Sequence, residues 1–184
     1  MSNISYNSEN SKLKGSQIRK MPIEEIKISS KRNPLIIIAD NILDTFNIGG
    51  LFRLADAVFA EMLIICGNSE VPPNTKITKA SCGTYKIVPW RKAESAAYAI
   101  DYLKHYRDIK VVAVELSEKS VDYNQLQFDG PTAIVVGNET TGVSEEALSL
   151  CDAFVSIPMY GVNISLNVGV AAALVAYKVV ESMR

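Results

Sequence analysis

Residues Thr132 to Arg184 read TAIVVGNETTGVSEEALSLCDAFVSIPMYGVNISLNVGVAAALVAYKVVESMR, and this stretch decides the fold. Two apolar runs, Thr132–Val136 and Phe154–Ile157, have the length and β-branched content of strands. Each ends at a polar, glycine-containing turn that opens into a helix-like segment. In open α/β sheets, ligands sit outside the carboxyl ends of parallel strands, where such turns gather. Helix starts there also leave backbone N–H groups free for polar ligand atoms. Two such turns so close together predict a pocket.

Working outward toward the N-terminus, the same alternation recurs. Leu35–Ala39 (LIIIA) is a continuous apolar run, as expected of a strand buried on both faces. Asp40–Asn47 reads as a loop and Ile48–Phe59 as a helix, with Ile48, Leu51, Phe52, Ala55 and Phe59 on one face. Arg53 falls on roughly the opposite side, beside Gly49, Gly50, Ala57 and Ala60. Met62–Cys66 is a second strand, Lys86–Val88 a third, Ala93–Tyr106 an amphipathic helix and Lys110–Leu116 another strand. Ser117–Gly130 is a connection with one helical turn. Strands alternating with helices predict an α/β protein whose mainly parallel sheet is flanked by helices on both faces. The last helix, about Ser165–Met183, is apolar nearly all round and needs cover on more than one side. A second subunit would supply that cover, so a homodimer is expected.

The chain divides into a polar, basic extension, residues 1–33, and a domain, residues 34–184. Met1 to about Gly15 reads as a mobile tail. A short helix is expected within Gln17–Ser30, around Ile23–Lys27. The N-terminal residues lack the apolar stretch of a secretory signal. The longest apolar stretch, Val168–Tyr177, is about half the ~20 residues a membrane span needs. A cytoplasmic protein with no membrane partner is therefore expected. Cys66, Cys82 and Cys151 are odd in number and widely spaced, and His105 is the only histidine, so no metal site is expected. Any chemistry must also run without the usual histidine base.

A net charge of −1 hides an uneven distribution. Residues 1–33 hold seven Lys or Arg against three Glu, and residues 71–93 hold Lys76, Lys79, Lys86, Arg91 and Lys92 with no acid. A local basic field of this kind suits an RNA binder. Tyr85 and Trp90 among these cations either offer stacking surfaces for bases or cover the edge of the core.

Taken singly, the polar motifs read as structural. GNETTG (Gly137–Gly142) lacks the Gly-Lys-Ser/Thr ending of a phosphate loop and the spacing of a dinucleotide fingerprint. Ser144 with Glu145 and Glu146 fits a helix cap. Ser165 and Asn167 stand where one helix cap is needed. Glu139 is different, because a carboxylate in a turn at a strand end has no packing duty.

Together and in order, the blocks resemble the SpoU/TrmH family of SPOUT RNA methyltransferases. NIGGLFRLADAVFA (Asn47–Ala60), IVVGNETTGVS (Ile134–Ser144) and ISLNVGVAAA (Ile164–Ala173), the last preceded by SIPMYG (Ser156–Gly161), are similar to its three motifs. KASCGTYKIVPW (Lys79–Trp90) is similar to its middle loop. Departures from the family pattern are Thr140, Ala60 and the pair Thr84 and Tyr85. The resemblance implies a C-terminal segment threaded into a deep trefoil knot, an exception to the usual unthreaded chain. It implies S-adenosylmethionine as methyl donor, lined by Val114, Gly137, Ile157 and Leu166. It also implies methyl transfer to a ribose 2′-hydroxyl of RNA; tRNA is expected over rRNA because the chain is compact. Arg53, Asn47, Glu139, Ser165 and Asn167 would be the catalytic set, and Lys76, Lys79, Lys86, Arg91 and Lys92 would bind RNA. Three alternatives remain at this stage: a noncatalytic RNA-binding relative, a base methylase, and a small regulatory protein binding a nucleotide or anion.

Overall fold

The computed structural model describes residues 15–20 and 31–183. Of the expected mobile tail, Met1 to about Gly15, all but Gly15 lies outside the described residues, as does the expected helix at Ile23–Lys27; Gly15 itself opens a helix. After a short helix α1 (Gly15–Lys20), the chain runs β1 (Asn33–Asp40), α2 (Thr45–Ala57), β2 (Ala60–Cys66), α3 (Thr75–Ala80) and β3 (Trp90–Ala93). It continues with α4 (Ala96–Tyr106), β4 (Lys110–Val114), β5 (Val121–Asp122), β6 (Thr132–Val136), α5 (Glu145–Ser149), β7 (Ala153–Ser156) and α6 (Val168–Ser182). The seven strands form one sheet in the order β3-β2-β1-β6-β4-β7-β5. Every pairing is parallel.

The LIIIA run of β1 explains the layering. Leu35 through Ala39 are all at most 1% exposed, and strand alternation sends their side chains to opposite faces. Leu35, Ile37 and Ala39 join Ile48, Leu51 and Phe52 of α2 and Val175, Ala176 and Val179 of α6. Ile36 and Ile38 join Ala99, Ile100 and Leu103 of α4 and Ala147 of α5. Each fully buried isoleucine contributes about 1.5–3 kcal/mol relative to exposure. A strand with two apolar faces therefore belongs at the centre of a three-layer protein.

The helix ends follow local polar chemistry. Asp44 caps α2 by accepting from the N–H of Phe46 (2.8 Å), and Ser95 caps α4 from Tyr98 N–H (3.0 Å). Asn167 caps α6 from Gly169 N–H (2.9 Å). The last helix starts later than expected for that reason: its first residue is the one after the cap. It buries Ala172, Val175, Ala176, Val179 and Val180, while Val170, Leu174 and Tyr177 stay exposed at i, i+4 and i+7. Among the described residues, no helix is long and apolar enough to cross a membrane.

Several boundaries differ from the sequence reading. The strand expected at Lys86–Val88 is a turn, with Thr84–Lys86 in a single 3-10 turn and the N–H of both Ile87 and Val88 bonded to Thr84 O. The edge strand is instead Trp90–Ala93, so Ala93 does not open the following helix. Ser117–Gly130 holds the two-residue strand β5 rather than a helical turn. Beyond β5 the chain returns across the sheet face that carries α2 and α6, burying Phe128 there before β6 begins.

Candidate active site

At the carboxyl ends of β1 and β6, two loops and one helix start are joined by side-chain hydrogen bonds. The Glu139 carboxylate accepts from Asn47 Nδ2 (2.7 Å) and from the backbone N–H groups of Leu43 and Asp44 (3.3 Å each). Asn167 Nδ2 donates to Asn47 Oδ1 (2.9 Å). One residue from each of the three sequence blocks thus meets its neighbours in an unbroken line, Glu139–Asn47–Asn167. Burial acts to raise the Glu139 pKa, but the hydrogen bonds from Asn47, Leu43 and Asp44 outweigh it. The net shift is downward. An ionised Glu139 accepts only, which orients the Asn47 amide and, through its oxygen, the Asn167 amide.

Arg53 lies six residues beyond Asn47 on α2, exposed, and makes no ion pair or hydrogen bond with the described residues. Of its small neighbours, Gly49 is taken up by the fold: a Cβ there would collide with Ala80 on α3. Gly50 faces open space. Ser165 is exposed two residues before the α6 cap, and its hydroxyl has no partner among the described residues.

The residues expected to line a donor cluster at the same rim. Val114 is the last residue of β4, and its strand partners Val136 and Val155 belong to β6 and β7. Gly137 follows β6 directly and is buried because its own loop folds back on it, through an antiparallel bridge between Asn138 and Gly142. A Cβ at Gly137 would strike the backbone of Gly142 and Val143. Ile157 follows β7, and Leu166 is 38% exposed. Between them Tyr160, Val162 and Ile164 are almost wholly uncovered.

The basic residues separate. Lys76 and Lys79 on α3 and Arg91 on β3 are exposed. Lys92 is engaged within the fold, its Nζ donating to the carbonyls of Gly67 and Ser69. Lys86 also has an interaction within the chain. Tyr85 and Trp90 both stand edge-on to the buried Phe52 ring, at 6.4 and 6.1 Å between centroids. They cover the core edge, as one of the two readings of this pair expects, and each keeps part of its surface exposed. His105 is exposed on α4 beside Tyr106, far from the rim in the fold's order. An open depression of about 560 Å³ between Lys104 and Ile109, with Asp152, lies at the opposite, amino end of the sheet.

Sequence reasoning missed four polar residues at the rim. The buried Asp40 accepts from Ser144 N–H (2.9 Å) and Oγ–H (2.6 Å). Ser144 is therefore at the α5 cap position, yet its hydroxyl serves Asp40 and not the helix. Glu115 accepts from Val143 N–H (2.8 Å). Asn41 (φ 53) takes Asn68 N–H on its side-chain oxygen (3.0 Å), and its carbonyl accepts from Asn138 Nδ2 (2.8 Å). The signal was the position of these residues immediately after apolar strands. The Cys66 thiol is no nucleophile: burial, with the Asp40 charge adding to it and Lys92 opposing, pushes its pKa up to about 12. Among the described residues, no group of three or more His, Cys, Asp or Glu is placed to hold a metal.

An all-parallel, doubly covered sheet with a polar site at its carboxyl rim defines the class of open α/β proteins that bind small ligands between strand-end loops. Residues 34–177 match the SpoU rRNA Methylase family, and the chain belongs to that family. It is 35% identical over 144 residues to a putative TrmH family tRNA/rRNA methyltransferase of Staphylococcus haemolyticus, covering 78% of this chain and 57% of that protein. It is 33% identical to the tRNA (guanosine(18)-2′-O)-methyltransferase of Aquifex aeolicus, covering 82% and 71%. The crystal structure of the SpoU methyltransferase AviRb from Streptomyces viridochromogenes, in complex with the cofactor AdoMet, matches with a TM-score of 0.75 at 30% identity, covering 85% of this chain and 60% of that one. The chain thus spans little more than half the length of some of its relatives.

Proposed function

We propose that this protein transfers a methyl group from S-adenosylmethionine to a ribose 2′-hydroxyl of RNA. The observation that supports it best is the line Glu139–Asn47–Asn167, because it joins the three family blocks at the strand-end rim, where open α/β sheets bind ligands. The relatives' names agree in chemistry and divide over substrate, one naming tRNA guanosine 18 and another, from Vibrio parahaemolyticus at 30% identity, 23S rRNA. Our reading favours tRNA, with rRNA second, because the tRNA enzyme is the more similar of these two, at 33% against 30% identity.

The rim suits this donor on its own chemistry. Exposed apolar side chains, Tyr160, Val162, Ile164 and Leu166, stand in the segment between β7 and α6, and the strand-end loops supply backbone polar groups. A ligand with an aromatic base and a polar amino-acid end calls for both. Val114, Gly137, Ile157 and Leu166 would hold it. When bound, it supplies an electrophilic methyl on a positive sulfonium. The remaining work falls to the chain. A guanidinium stays protonated, so Arg53 holds the neighbouring phosphate and stabilises the developing alkoxide. The sulfonium–methyl bond would break to leave a neutral thioether, and the hydroxyl proton would pass to solvent water. Ionised Glu139 fixes Asn47, and Asn47 with Asn167 and Ser165 positions the ribose. Lys76, Lys79 and Arg91 contact phosphates, with Lys86 and Lys92 contributing charge to the same field.

In this reading α6 passes through the loop 115–131, giving the family's knot. The excursion of that loop to β5, outside β7, and its return over the α6 face support it. The exposed stripe Val170, Leu174 and Tyr177, with Phe46 at the start of α2, is the surface of a homodimer. Residues 1–33 act as an RNA-binding extension to the domain 34–184, and the three free cysteines fit the reducing cytoplasm.

The test is to incubate the protein with labelled S-adenosylmethionine and total RNA, then digest the RNA to nucleosides. Label in a 2′-O-methyl nucleoside is expected. Label in a base, or donor binding without transfer, would replace this reading with a base methylase or a noncatalytic relative.

A further inference from the structure

The loop that carries Gly137 and Glu139 leaves β6, and the strands on either side of β6 both end in carboxylates that grip it. β1 ends in Asp40, and β4 is followed directly by Glu115. Asp40, 1% exposed, takes Ser144 N–H and Oγ–H on Oδ2 (2.9 and 2.6 Å) and Asn41 Nδ2 on Oδ1 (2.9 Å). Glu115 takes Val143 N–H on Oε2 (2.8 Å) and Leu116 N–H on Oε1 (3.0 Å). Two consecutive amides of one loop are therefore held by anions from opposite neighbours of the same strand.

Neither anion has a cationic partner among the described residues. A buried carboxylate is tolerated only while hydrogen-bond donors replace its water. Sliding the loop would strip donors from the buried Asp40 and from the half-buried Glu115, which opposes movement at the base of the loop. A grip on one side would leave the loop free to pivot about β6; grips on two sides remove that freedom. Gly142 is shaped to the same arrangement: its φ is +72°, and a Cβ there would meet the Glu115 carboxylate.

We propose that Asp40 and Glu115 are positioning residues, a two-sided clamp that holds the backbone of the Gly137–Ser144 loop ready for the methyl donor. The proposal rests on the reading that this rim binds S-adenosylmethionine. Glu115→Gln keeps the shape but turns an N–H of its own toward a backbone N–H. Asp40→Asn does the same on the other side, and Ser144→Ala removes one hydroxyl while leaving both carboxylates in place.

Each full-length variant is measured three ways: S-adenosylmethionine affinity by calorimetry, RNA affinity by fluorescence anisotropy, and amide hydrogen exchange across residues 137–150. Glu115→Gln is expected to weaken donor affinity about tenfold or more, to speed exchange at residues 138–144, and to leave RNA affinity within about twofold. Ser144→Ala should show the same pattern, weaker. If Asp40→Asn does not fold, the other two variants decide. Wild-type donor affinity in Glu115→Gln and Ser144→Ala overturns the proposal, as does an equal loss of donor and RNA affinity, which is what general loosening produces. A wild-type chain that binds no donor instead overturns the reading of the rim and the donor half of the clamp. Unchanged exchange in Glu115→Gln then removes the clamp itself.

Discussion

The two ends of the sheet handle charge in opposite ways. At the amino end, cations and anions meet as side-chain pairs. Arg107 forms two hydrogen bonds with Glu61 (2.6 and 3.2 Å), and Lys104 pairs with Asp152. Arg32 closes the same end, donating to the carbonyls of Ala60 and Ile87 (3.1 and 2.7 Å) with its guanidinium 4.5 Å from the Phe59 ring centre. At the carboxyl end, Asp40, Glu115 and Glu139 are satisfied by backbone N–H groups, a serine hydroxyl and asparagine amides. Arg53 is left without a protein partner among the described residues. The amino end pairs charge with charge at Arg107–Glu61 and Lys104–Asp152, whereas the carboxyl end fixes its anions with neutral donors. That contrast separates an end held largely by ion pairs from one held by neutral hydrogen bonds.

Breaking the carboxyl end should have the largest effects. Arg53→Ala is expected to lower kcat of the proposed transfer about 10²–10³-fold while donor affinity, read by calorimetry, stays unchanged. Arg53→Lys retaining nearly full kcat and RNA affinity would remove the phosphate-positioning account, since an ammonium lacks the paired donors of the guanidinium. Gly137→Ala forces a methyl into the backbone of its own loop and should cost about 3 kcal/mol, seen as a lower urea midpoint. Asn167→Ala removes the α6 cap and the bond to Asn47, for about 1 kcal/mol by the same measurement. It should also reduce transfer. Arg107→Ala, at the amino end, should cost less than about 1 kcal/mol and leave transfer rates untouched.

A smaller effect sharpens the comparison by pH. Asp152 and Glu139 stand at opposite ends, and burial acts to raise both pKa values. Lys104 and the Val111 N–H outweigh it for Asp152, and Asn47 with the Leu43 and Asp44 N–H groups outweigh it for Glu139, so both end below their usual values of 3.8 and 4.5. A carboxylate whose folded pKa is depressed contributes stability that is present above the unfolded value and lost as pH falls through the folded one. The stability gap between wild type and Glu139→Gln, measured by urea unfolding, should begin to close below pH 4.5. The gap for Asp152→Asn should begin to close below pH 3.8. Added salt should shrink the Asp152 gap more, because that residue answers to a charge on an exposed lysine.

Most strands were legible because an apolar run buried on both faces has few other places to go, as Leu35–Ala39 shows. The run Ile87-Val88 misled, since Gly83 (φ +89) and Pro89 bracket it and turn the backbone back on Thr84. The two-residue β5, with Val121 exposed, is too short to leave a pattern. Arg53, Asn47, Glu139 and Asn167 could be picked out only because three ordered blocks pointed to them together. Asp40 and Glu115 escaped because a carboxylate at a strand end looks like any solvated residue. Which amides it binds depends on β6 lying between β1 and β4, a pairing of distant segments that no local window contains.

The bonds that join Asn47 to Glu139 and to Asn167 span 92 and 120 residues of chain. Contacts that distant form late, after most chain entropy has been lost. All seven strands, β1 to β7, lie before Asn167 in the chain, so a growing polypeptide can hold the whole sheet and still lack the bond from Asn167 to Asn47. A product ending before Asn167 would keep the Glu139–Asn47 bond but lose its third member and α6 with it, and in the proposed transfer it is expected to be inert.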